Sequence, residues 1–114
     1  MAKGFRVDSS GAFTLRRQRF QIPGEFSERQ LHSYRVLLEP IPDQPAGVTL
    51  TAVKRRKQED YFLRRALAAL IPGLTMKTLE RTPMTKVRTI HRWISRHRPQ
   101  VAEVEAENTE SLIS

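Results

Sequence analysis

The chain has 114 residues, with 20 Lys and Arg against 12 Asp and Glu, a net charge of +8 and a pI near 10.8. That length suits one small domain with loose ends, and the charge balance points to polyanionic partners, nucleic acid before anionic membrane. The chain has no cysteine, which excludes disulfides, thiolate chemistry and Cys-based zinc sites. Neither a secretory leader nor a membrane-length apolar run is legible, so a cytoplasmic protein is expected.

Residues 1–11 are polar and small and read as a flexible N-terminus. In AFTLRRQRFQIP (12–23), Phe13 and Leu15 alternate with Thr14 and Arg16, and Phe20 and Ile22 continue on the other parity. The pattern predicts a strand over 12–22 with a bulge or bend near Arg17, ended by Pro23-Gly24. SERQ at 27–30 has the form of a capping box and predicts a short helical turn. SYRVLLEPI fits either period. Taken with the turn cluster PDQPAG at 42–47 and the alternation of Val48, Leu50 and Ala52, it predicts a hairpin of strands 33–41 and 47–54.

The period then changes. Phe62, Leu63, Ala66, Leu67 and Leu70 form one face of a helix over 57–70, with Glu59 and Asp60 in its first turn and Pro72-Gly73 after it. Thr75 caps a short helix, MKTLERT, which Pro83 breaks. Thr85 caps a third helix over 86–97. Its core side is Val87, Ile90, Ile94 and His97 with Trp93 beside them, and its opposite stripe is Arg88, Arg92 and Arg96. Residues 99–114 read as a disordered acidic tail. The predicted fold class is α+β: about three antiparallel strands within 12–54, then three helices over 57–97, in one basic domain spanning 12–98.

The stretch TMKTLERTPMTKVRTIHRWISRH (75–97) resembles a helix-turn-helix DNA-binding unit, with Thr85, Ile90, Trp93 and Ile94 in the roles of cap and anchors. Its turn carries Pro83 where a glycine commonly stands. The resemblance implies that the second helix braces the third and that the third lies in the major groove. Dimers that read two half-sites are common among such proteins, so a homodimer is a further expectation.

The charge supports the same partner. From Lys54 to Arg98, thirteen Lys and Arg stand against Glu59, Asp60 and Glu80, a local charge of +10. Lys86, Arg88, Thr89 and Arg92 are candidate base-facing residues. Arg96, Arg98 and the run Lys54, Arg55, Arg56 and Lys57 are candidate phosphate contacts. Arg16, Arg17 and Arg19 form a second basic patch, serving either the same polyanion or the protection of a strand edge. Trp93, beside Ile90 and Ile94, reads as a core anchor rather than a base stacker. His91 sits between the two faces of its helix.

No phosphate loop, nucleophile elbow or clustered carboxylates are present, and His91 and His97 are six residues apart. Neither an enzyme, a cofactor nor a metal is therefore expected. The leading expectation is a small DNA-binding regulator or accessory factor of a phage or mobile element. The alternative is a non-enzymatic subunit or inhibitor that meets an RNA-containing or protein assembly through its basic face.

Overall fold

A computed structural model describes residues 4–38 and 52–102 of the chain. The order is β1 (Ala12–Leu15), β2 (Gln18–Gln21), α1 (Glu28–Leu38), α2 (Ala52–Leu70), α3 (Met76–Glu80) and α4 (Met84–His97). The α+β class holds, but the sheet described has two strands rather than three.

The first strand prediction resolves into a tight hairpin. β1 and β2 pair antiparallel, with Phe13 opposite Phe20 and Leu15 opposite Gln18. Only Arg16 and Arg17 remain for the loop, and both have positive φ, +48° and +68°. A two-residue hairpin of this kind matches the twist of its strands, but it normally uses Asn or Gly. For arginine, each left-handed conformation costs about 1 kcal/mol or more. The loop also accounts for the parity switch, since residues paired across it are of opposite parity. Phe13, Leu15, Phe20 and Ile22 therefore share one buried face, and the rings of Phe13 and Phe20 stack with centroids 5.5 Å apart.

The second predicted hairpin is a correction. Residues 33–38 belong to α1 and residues 52–54 to α2, while 39–51 lie outside the described residues. The capping box explains α1: Ser27 N–H donates to Gln30 Oε1 at 2.9 Å, and Gln30 N–H donates to Ser27 Oγ at 3.1 Å. Once the helix is nucleated there, Leu31 and Tyr34 fall on one face, and Tyr34 is fully buried. Gln30, near the start of α1, reaches the carbonyls of Ala69 and Leu70 at the end of α2. The two helices pack together and so run antiparallel.

α2 starts five residues before the predicted 57. The run KRRK is built of good helix formers and continues the helix rather than bounding it. Glu59 and Asp60 are consequently mid-helix, and the first turn of α2 holds no acid. Only its last turns are fully buried, through Ala66, Leu67 and Leu70.

α3 begins as predicted, with the Thr75 side chain accepting from Thr78 N–H. The link to α4 contains no left-handed residue. Arg81 ends α3 at φ −91°, its N–H directed to the Leu79 and Thr78 carbonyls, and the Thr82 hydroxyl donates to Thr78 O. Pro83 then serves as the cap of α4, at φ −58° and ψ 146°, with no side-chain capping bond. This corrects the sequence reading, because Thr85 is inside the helix and Pro83 opens it. Proline suits that place, where its missing N–H and fixed φ cost nothing.

Beyond α4, Arg98 caps the helix and residues 99–102 form a further helical turn, so Pro99 does not end the ordered chain. Val101 is fully buried, and Gln100 brackets Phe26, accepting from its N–H at 2.8 Å and donating to its carbonyl at 3.3 Å.

Candidate nucleic-acid interface

α4 positions the candidate ridge. Val87, Ile90 and Ile94 are completely buried at i, i+3 and i+7, so one stripe of the helix is fixed against the core. His91 joins that stripe, correcting its placement between faces. Its Nε2 lies 3.0 Å from the Leu63 carbonyl, which can only accept, so Nε2 carries the proton and donates. The Tyr34 ring lies beside it at 6.1 Å. His97, expected on the core side, is exposed.

Arg88, Arg92 and Arg96 follow at i, i+4 and i+8 on the exposed side. Like charges at that spacing repel by a few tenths of a kcal/mol per pair. Arg88 is partly neutralised, since its Nη2 lies 3.2 Å from Oδ1 of Asp60 on α2. Arg92 and Arg96 flank a shallow recess of about 160 Å³ completed by Thr89, Trp93 and His97. The Thr89 hydroxyl donates to Thr85 O at 2.8 Å, leaving its oxygen to act only as an acceptor toward a ligand. Lys86 Nζ rests 5.6 Å from the centroid of the Phe5 ring.

Trp93 is half-buried and already engaged. The His97 ring stacks on it at 4.4 Å and 19°, and the Arg98 guanidinium lies 4.8 Å from its centroid. It is an anchor in a cation–π stack, not an open platform for bases. Arg98 Nε also donates to Pro23 O at 2.6 Å, and Nη2 to Ile22 O at 3.3 Å. Its head group therefore ties the hairpin exit to α4.

Lys54, Arg55, Arg56 and Lys57 are exposed in the first two turns of α2. They form a cationic collar distinct from the ridge, and Asp60, about one turn further on, makes the link to α4. Two residues that organise this region were not legible in the sequence. Asp60 is 28 positions from Arg88, and Arg64 donates from α2 to Leu79 O at 2.8 Å and Thr82 O at 3.2 Å. Nothing in local spacing marks either pairing.

No family model, curated protein or solved structure matches this chain.

The geometry of α4 and its neighbours thus carries the functional reading. Among the described residues, no three His, Cys, Asp or Glu side chains are placed to hold a metal ion. None of the described helices is long and apolar enough to cross a membrane.

Proposed function

We propose that this protein is a non-enzymatic nucleic-acid-binding protein that sets the exposed face of α4 on duplex DNA, as a regulator or accessory factor. The observation that carries this reading is the division of α4 into a fully buried stripe, Val87, Ile90 and Ile94, and an exposed stripe, Arg88, Arg92 and Arg96. A helix pinned on one side with guanidinium groups on the other offers the long forked donors that suit guanine edges and phosphates. Arg64 on α2 holds α3 and the link that follows it, donating to Leu79 O and Thr82 O, and α2 packs against both α3 and α4, which supports a short helix preceding a fixed α4.

Arg92 and Arg96 are the informative positions, because replacing Arg88 would also strip Asp60 of its partner. Arg92→Ala with Arg96→Ala is expected to weaken duplex binding, measured by fluorescence anisotropy, while leaving the melting temperature close to that of the parent. Unchanged binding would remove α4 from the interface. A basic surface meeting RNA or an acidic protein is the second reading, favoured by the separate collar on α2. Copurification with and without nuclease separates them: a protein partner that survives nuclease supports the second.

A further inference from the structure

The hairpin loop combines two properties that do not ordinarily occur together. Its two residues occupy left-handed backbone, at φ +48° and +68°, where Asn-Gly would be comfortable and arginine is strained. Both residues are also exposed, and neither side chain has an ion pair or hydrogen bond among the described residues. Arg19 differs, since its guanidinium lies 3.7 Å from Asp8. The strands beneath the loop are firmly seated: Leu15 and Phe20 are buried at 2% and 3% exposure, and Phe13 stacks on Phe20. The base of the hairpin abuts α4, where Gly11 sits against the edge of Trp93. Two uncompensated guanidinium groups are therefore displayed on a rigid support, in a loop whose backbone disfavours them.

We propose that the hairpin tip is a second nucleic-acid contact, in which Arg16 and Arg17 each take a backbone phosphate of the polyanion. Local strain retained at an exposed, charged turn is a mark of a functional position. Arginine suits this task because its fork can hold a phosphate with two parallel hydrogen bonds. Edge protection does not explain the pair, since the loop residues lie outside the strand ladder, which ends at Leu15 and Gln18. The contact takes the class of partner proposed for α4 but uses different residues, so the two can be tested apart.

The test uses the full chain carrying Arg16→Asn and Arg17→Gly. This pair supplies the turn chemistry that the backbone asks for and removes both cations. The variant is expected to melt roughly 4–8 °C higher than the parent. Its duplex affinity is expected to fall roughly tenfold near physiological salt, with the slope of log affinity against log salt shallower by about 2. Arg16→Lys with Arg17→Lys, which keeps the charges and the strain but not the forks, is expected to keep the parent's salt slope and an affinity between those of the parent and the first variant, without the rise in melting temperature. A variant that melts higher yet binds duplex DNA with the parent affinity and slope overturns the proposal, and leaves α4 as the interface if Arg92→Ala with Arg96→Ala still weakens binding. Loss of binding in the hairpin variant but not in the α4 variant supports the tip and rejects α4. Vesicles of phosphatidylserine and phosphatidylcholine provide the last arm: tip-dependent binding to them, with none to duplex DNA, overturns the assignment to nucleic acid.

Discussion

Among the described glycines, Gly11 has the least room for a side chain. Its φ is +92°, and a Cβ there would stand 3.0 Å from Trp93 Cη2, 3.2 Å from Arg98 Nη2 and 3.3 Å from Gln21 Nε2. Backbone strain and overlap act together, so Gly11→Ala is expected to destabilise by about 1–3 kcal/mol. Trp93 is the only tryptophan of the chain, so its fluorescence reports the displacement directly, and a spectrum and melting curve matching the parent would contradict this packing. Asp8, in the loop before β1, accepts from the Ser10 hydroxyl at 2.6 Å and from Ala12 N–H at 3.0 Å. The Ser10 bond first, and then the Ala12 amide, hold its carboxyl below the usual aspartate range. A carboxyl with a depressed folded pKa contributes stability above its unfolded pKa and loses it as pH falls through the folded value. Asp8→Asn is therefore expected to lower stability at neutral pH and to flatten the acid limb, the variant converging on the parent as pH falls through the folded pKa. Melting curves from neutral to acid pH check it, and an unaltered limb would show that the turn bonds do not couple to folding.

At the scale of elements, capping decides more than propensity. SYRVLL fits both periods, but the reciprocal Ser27–Gln30 pair satisfies two amide groups that a strand start would leave to other partners. The helix then buries Tyr34 against α4. Ser27→Ala is expected to lose about 1 kcal/mol. Thr85→Ala is expected to stay within roughly 0.5 kcal/mol, because Pro83 occupies the cap position and Thr85 makes no capping bond. Chemical denaturation of the two variants distinguishes this arrangement from one in which Thr85 opens α4, for which the second loss would match the first. The link between α3 and α4 follows the same logic. Proline cannot provide the left-handed residue of a glycine turn, and the chain does not need one, because Arg81 closes α3 and Pro83 starts the next helix.

At the scale of the molecule, charge is distributed over three surfaces: the collar at the start of α2, the ridge of α4 and the tip of the hairpin. Binding to a polyanion through such surfaces releases counterions, each phosphate contact adding about 0.9 to the slope of log affinity against log salt. Removing Arg92 and Arg96 is thus expected to lower that slope by about 2 if both meet phosphates. A smaller change in slope with a lost preference between duplex sequences would instead assign them to base edges. Anisotropy titrations over a salt series on two unrelated duplexes measure both quantities.

The sequence by itself determined the amphipathic division of α4, the start of α3 at Thr75 and the placing of the arginine stripe. These follow from i, i+3, i+4 spacing and local caps, which act within one or two turns. It also contained the hairpin, in the parity switch between Leu15 and Phe20, but Arg16-Arg17 lacks turn chemistry and the switch reads as a bulge. The tertiary structure alone decided that the helix opened by the Ser27–Gln30 cap continues through 33–38, that His91 lies inward while His97 lies outward, and that Arg98 clamps Pro23 rather than standing free. It also paired Asp60 with Arg88 and Arg64 with the α3 link. Each of those outcomes depends on groups many residues apart along the chain, and local periodicity carries no information about which distant carbonyl or carboxylate a long side chain will meet.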